Sequence, residues 1–177
     1  MRSKHVDFYN HDNLARNYDA NVQRTEDPIR ESYDQALDWV IEQARIESNS
    51  SVLELGSGTG NLTRRIKACG RIVCVDISTK MDDIAESKTA HLPHRAFVAS
   101  DVLEYVSTSQ DTFDAIVSTY TLHHLTEAEK MPFLEAVAAR LTTGGRLVIG
   151  DLMSESCLLY TSPSPRDRSL SRMPSSA

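Results

Sequence analysis

Apolar residues change their spacing several times along this 177-residue chain, and each change marks an element. After Pro28 the stripe is helical. Ile29, Tyr33, Ala36, Leu37, Val40, Ile41 and Ala44 recur at intervals of three and four and predict an amphipathic helix. Upstream, Leu14, Tyr18 and Val22 are four apart, which predicts a short helix within an otherwise polar stretch over 1–28.

From Ser51 the period shortens. Apolar runs at 51–55, 71–76, 96–101, 113–120 and 146–151 read as strands. Between them lie helical patterns. One spans 61–70, with Leu62, Ile66 and Cys69 on one face and Gly70 as its stop. A second follows Ser78, a candidate N-cap, with Met81, Ile84 and Ala85 inward. A third opens on a capping box, Thr126 to Glu129, and runs to Gly144-Gly145. The strands are continuous apolar runs rather than alternating ones, as expected of a parallel sheet covered on both faces. Right-handed crossovers then predict a doubly wound, mostly parallel α/β sheet.

The last 21 residues, from Cys157, break the pattern. They hold six serines and three of the six prolines, and show neither period. Such a segment buries too little apolar surface to offset its ordering entropy. It resembles translated sequencing-adapter sequence appended to a truncated reading frame. The organisation expected is a cap segment over 1–28, one domain over 29–153, and a disordered, non-native tail over 154–177.

Charge narrows the function classes. The whole chain has a formal net charge of −6, and residues 1–156 alone carry 24 acids and 16 bases, hence −8. So acidic a body argues against tight, non-specific nucleic-acid binding. The three cysteines, Cys69, Cys74 and Cys157, form no CxxC pair and suggest neither a disulfide framework nor a zinc site. No segment approaches 18 consecutive apolar residues, and the polar N-terminus has no signal-peptide core. A reducing, cytoplasmic location is expected.

The candidate chemistry lies at the strand ends. "VLELGSGTGNLT" (52–63) sets Gly56, Gly58 and Gly60 at the end of the first strand, where bare backbone turns sharply and meets a ligand closely. A tight strand–helix turn with no ligand is the alternative reading of such a loop. Asp76 ends the second strand, eighteen residues beyond Gly58, where a carboxylate can accept from both hydroxyls of a ribose. Asp101 ends the third, where it could accept from an exocyclic amine, with the Val102 N–H beside it. The glycines run G-x-G-x-G rather than the G-x-G-x-x-G of dinucleotide sites, and Asn61 stands at the third-glycine position. Glu54 precedes the loop; a pyrophosphate would be repelled by it, whereas an ammonium or a sulfonium would be attracted.

In their order, "VLELGSGTGNLT", "VCVDIS", "FVASDVLEY" and "FDAIVSTYTLHHL" resemble the class I S-adenosylmethionine-dependent methyltransferases. "LARNYDANV" and "ESYDQALDWVI" look most like the YrrT-like group of small methyltransferases. The resemblance covers roughly 8–153 and implies a Rossmann-like sheet of order 3-2-1-4-5, truncated after the fifth strand. It implies that the backbone around Gly56, with Ser57, Gly58 and Gly60, holds the methionine part of S-adenosylmethionine, and that Glu54 supports its ammonium. Asp76, with Ile77 beside it, would take the ribose. Asp101 and Val102 would take the adenine. Tyr18 would close over the cofactor, and Ser118 to Tyr120 would face the transferring methyl. Val75 departs from the glycine common in relatives before the acidic residue.

The resemblance implies no metal and does not fix a catalytic residue. His123 and His124 are candidates for a general base, against a structural or pocket-lining role. The activity expected is methyl transfer to a small-molecule acceptor whose identity the sequence does not carry. Two other readings stand beside it: a truncated cofactor-binding fragment without activity, and an NAD-dependent oxidoreductase, which the glycine spacing and Glu54 disfavour.

Overall fold

A computed structural model describes residues 12, 15–22 and 32–151. Five strands form one parallel sheet: β1 (Ser51–Leu55), β2 (Arg71–Asp76), β3 (Arg95–Ala99), β4 (Phe113–Thr119) and β5 (Leu141–Gly150). Their order is β3-β2-β1-β4-β5, so the chain reverses direction across the sheet between β1 and β4, the place where such folds bind ligands.

Alternate residues of each strand feed two separate cores. On one face Val52, Cys74, Ala115, Val117 and Val148 pack with Leu37, Val40 and Ala44 of α2 (Tyr33–Ala44). On the other, Leu53, Leu55, Val73, Val75 and Ile116 pack with Leu103 and Val106 of α4 (Val102–Thr108) and with Phe133 and Val137 of α5 (Glu127–Ala138). Each fully buried Val or Leu side chain here is worth roughly 1.5–3 kcal/mol. Burial on both faces is what makes the strands read as unbroken apolar runs.

The expected caps form. Ser78 accepts from the Met81 N–H at 3.2 Å and opens α3 (Thr79–Lys88), which packs against β2 and β3. The Thr126–Glu129 capping box opens α5. Tyr18 and Val22 fall in α1 (Ala15–Val22), which contacts α3, while Leu14 lies outside the described residues. So do Pro28, Ile29 and the tail from residue 152.

Three elements differ from the sequence pattern. The helix expected over 61–70 is only a single 3₁₀ turn, Thr63–Arg65, and Ile66 leaves it extended at ψ 116°. Leu62 and Ile66 are still buried as their spacing required, so the apolar spacing was met without the helix. The helix expected to reach Gly145 ends at Ala138, because residues from Leu141 are drawn into pairing with β4. A register shift between Phe113 and Ala115, with Gly144 at φ +83°, absorbs the extra residues. Finally, α4 was not anticipated. Asp101 caps it by accepting from the Glu104 N–H at 2.9 Å.

Candidate functional site

The loop after β1 turns back on β2: the Gly56 and Ser57 N–H groups both donate to the Val75 carbonyl, at 2.8 and 3.1 Å. Gly56 adopts φ +78°, and a Cβ there would lie 1.9 Å from Thr121 Oγ1. The loop and the turn after β4 are therefore in direct contact. Gly60 serves a different contact: a Cβ would lie 3.0 Å from the Ala85 Cβ, so this glycine lets α3 pack closely.

Asp76 organises the far side of the loop. One carboxylate oxygen accepts from the Gly58 N–H at 2.8 Å and the other from the Ser78 N–H at 2.9 Å. Each oxygen has a further lone-pair direction. Ile77, next to it, is half-buried at the turn into α3. Asp101, at the neighbouring strand end, is buried and spends one oxygen on its cap, while Val102 faces the second core.

A narrow cleft lies over the loop, lined by Tyr18, Tyr33, Ser57, Gly58 and Tyr120 among others. Ser57 is buried there, and its hydroxyl has no partner among the described residues. An orphaned polar atom facing a cleft beside glycine backbone fits a polar ligand. The structure thus brings Tyr18, Gly56, Ser57 and Gly58 into one cleft, with Asp76 bonded to its rim. Ser118 is not in it: its hydroxyl donates to the Leu55 carbonyl at 2.8 Å inside the sheet.

Glu54 is also sealed off from solvent, 1% exposed, beneath the loop on the α2 face. The Thr63 hydroxyl donates to its carboxylate. Burial raises its pKa to about 8, Thr63 opposes the rise, and Asp76 adds to it. Asp82 is raised to about 7, first by burial and then by Asp76 and Asp83. Burial likewise pushes the Cys74 thiol up, leaving it an inert core residue.

Asp19, Lys88 and Asp151, which the sequence did not single out, bond residues that it did. Asp19 of α1 accepts from Thr59 Oγ1 at 2.6 Å, from Asn61 Nδ2 at 3.0 Å and from the Lys88 ammonium. Burial alone would raise the Asp19 pKa; the hydrogen bonds from Lys88, Thr59 and Asn61 outweigh it, and the net shift is downward. Tyr120 stacks on Tyr33 with centroids 5.2 Å apart. His123 Nδ1 lies 2.6 Å from Asp151 Oδ1, and its ring is 4.0 Å from that of His124. Among the described residues no cluster of three or more His, Cys, Asp or Glu could hold a metal, and no helix is long and apolar enough to cross a membrane.

Comparison with known proteins decides the family. The family described as "Methyltransferase domain" matches residues 52–145, the span from β1 into β5. The chain belongs to this methyltransferase family. An uncharacterized methyltransferase of Oceanobacillus iheyensis is 37% identical over 128 residues, covering 72% of this chain and 56% of the relative. One from Alkaliphilus oremlandii is 33% identical over 149 residues, covering 82% and 67%. The chain thus spans between about half and two thirds of the length of these curated methyltransferases. Among solved structures, a DhpI–SAM–HEP complex matches with TM-score 0.66 at 26% identity, covering 87% of this chain and 70% of that one. A DhpI–SAH complex matches with TM-score 0.68 at 25% identity, covering 84% and 68%. The methyltransferase fold is that of the class I, Rossmann-like group, in the strand order expected.

Proposed function

We propose that this chain binds S-adenosylmethionine and transfers its methyl group to a small-molecule acceptor, as a member of the YrrT-like group working in the cytoplasm. The observation that carries the reading is the Asp76 carboxylate at the end of β2, clamped between the Gly58 and Ser78 N–H groups beside the loop that follows β1. It stands where it can accept from two ribose hydroxyls while fixing the loop that meets the methionine part.

The roles then follow residue by residue. The Gly56, Ser57 and Gly58 backbone and the orphaned Ser57 hydroxyl face the methionine part. Buried Glu54, protonated near neutrality before the ligand binds, ionises when the ammonium and the sulfonium arrive. Ile77 borders the ribose, and the second Asp101 oxygen, with the Val102 N–H, takes the adenine edge. Tyr18 covers the cleft. Gly60 and Ser118 act from behind, the first by admitting α3, the second by tying β4 to β1. The bound cofactor supplies an already activated methyl group on its sulfonium. The protein's share is to orient donor and acceptor and to exclude water. Support for the cofactor comes from the two similar DhpI complexes, one with SAM and HEP and the other with SAH. The tail from Cys157, by its composition, is read as non-native and given no role.

The test is a calorimetric titration with S-adenosylmethionine and with NAD. Binding of the first alone is expected, and Asp76→Ala should weaken it by ~1–3 kcal/mol through loss of charge-assisted hydrogen bonds. Binding of NAD alone, or an Asp76→Ala variant with unchanged affinity, overturns the assignment.

A further inference from the structure

The loop cleft is too narrow for the molecule assigned to it. Its volume is about 20 Å³, room for about one water, against the ~300–1,000 Å³ typical of small-molecule sites. Some part of its lining therefore moves when a ligand enters.

Most of that lining is tied down. The Gly56 and Ser57 N–H groups are bonded to the Val75 carbonyl, and the Gly58 N–H to Asp76. Thr59 and Asn61 are bonded to Asp19, which fastens the helix of Tyr18 to the same loop. Tyr33 is buried in α2 as part of the first core. On the remaining side stands Tyr120, next after β4, with its ring stacked on Tyr33.

Two features single out Tyr120 as the moving part. Its backbone is left-handed, at φ +51°, a conformation that a bulky residue keeps only where its surroundings impose it. Here the Tyr120 N–H donates to the Gly150 carbonyl at 2.9 Å, and the next residue, Thr121, abuts Gly56. The backbone is thus a fixed pivot. Secondly, this pivot stands between two spaces. Tyr120 also lines a groove of about 520 Å³ at the tip of β5, whose walls include Ala36, Trp39, Leu122, Leu134 and Ile149. Those apolar walls suit an aromatic ring as well as its stack on Tyr33 does. Resting on the S-adenosylmethionine reading, we propose that the Tyr120 side chain is a gate, which swings out of the loop cleft into the groove beside β5 to admit the cofactor. The gate trades one apolar contact for another, so both positions are accessible, and cofactor entry waits on the outward one.

Trp39 is the chain's single tryptophan, and among the described residues it lines the groove but not the cleft. Its emission therefore reports the arrival of the ring. The experiment uses the full chain and S-adenosylmethionine, with association rates from surface plasmon resonance and Trp39 emission read at equilibrium. A saturable emission change is expected. Tyr120→Ala should lose that change and associate at least ~tenfold faster, since an outward state populated at ~10% or less no longer limits entry. Ala36→Leu puts bulk into the groove that the ring must enter, and should slow association by ~fivefold or more. Parent-like association in either variant overturns the gate, and if Tyr120→Ala does not fold, Ala36→Leu decides alone. The two readings fail differently: binding at one common rate in parent and variants removes the gate and leaves the cofactor assignment standing, whereas no binding by the parent removes both.

Discussion

Tyr120 lies stacked on Tyr33, ring planes 27° apart, and thereby fastens the end of β4 to the start of α2 across the mouth of the cleft. The two rings are held at different cost. Tyr33 sits in a helix and is buried, with Asn61 Nδ2 donating to its hydroxyl at 3.3 Å. Tyr120 pays for its position with a left-handed backbone.

From this asymmetry, Tyr33→Ala should destabilise the fold by ~3 kcal/mol, as large-to-small changes at buried aromatics do. Tyr120→Gly removes the same stack but relieves ~1 kcal/mol of backbone strain, so its loss should be clearly smaller. Urea unfolding of the two variants decides; equal losses would mean that Tyr120 is unstrained.

The glycines separate by the same logic. Gly56→Ala drives a methyl into Thr121 and strains φ, so a loss of ~3 kcal/mol or more is expected. Gly58→Ala meets nothing nearer than Met81 Sδ at 3.9 Å. It should cost only the ~1 kcal/mol of its positive φ. Thermal unfolding should rank them in that order, and Thr121→Gly should restore part of the Gly56→Ala loss.

Glu54 makes stability fall as pH rises. Its folded pKa of about 8 lies above the ordinary 4.5, so between these values the folded state keeps a proton that the unfolded state has released. Stability contributed by the protonated form is complete below 4.5 and is lost on the way to 8. Asp82, raised to about 7, acts in the same direction, more weakly because it is partly solvated. Glu54→Gln should therefore be more stable than the parent at pH 8, by roughly 2–4 kcal/mol, with the gap closing near pH 4.5. Melting curves across that range test this. Ligand binding brings a companion effect: a cationic ligand lowers the Glu54 pKa, so S-adenosylmethionine binding near neutrality should release protons, seen as buffer-dependent heat.

The strands, their burial on both faces and the loop were readable from the sequence, because burial on two faces leaves an unmistakable apolar run; the strand order came with the family resemblance. What escaped was governed by contacts distant in sequence. Residues 61–70 have helical spacing, yet Thr63 turns to bond Glu54, nine residues earlier on a strand. Leu141 to Thr143 look like the end of a helix, but pairing with β4 outweighs that local preference. The seven residues of α4 were too few to show a period, although Asp101 followed by Glu104 was a usable start signal. In the site, the strand-end acids were legible because position alone identifies them. Asp19 and Asp151 were not, since their meaning lies in partners 40 and 28 residues away.

Asp19 supplies a further test. Its folded pKa is depressed, so its contribution is present above the ordinary carboxylate pKa and is lost as pH falls below it. Asp19→Asn should leave the sheet intact, costing about 1 kcal/mol overall, while hydrogen exchange in Ala15–Val22 speeds up and S-adenosylmethionine binds more weakly. Unchanged exchange in that helix would show that Asp19 does not secure it.

The contact between Gly56 and Thr121 has a consequence for how such a sequence can drift. Position 56 has no room for even a methyl while a branched residue occupies 121. Neither site is then independent of the other: lineages must shrink 121 before 56 can vary, and the two columns of any family alignment should change jointly.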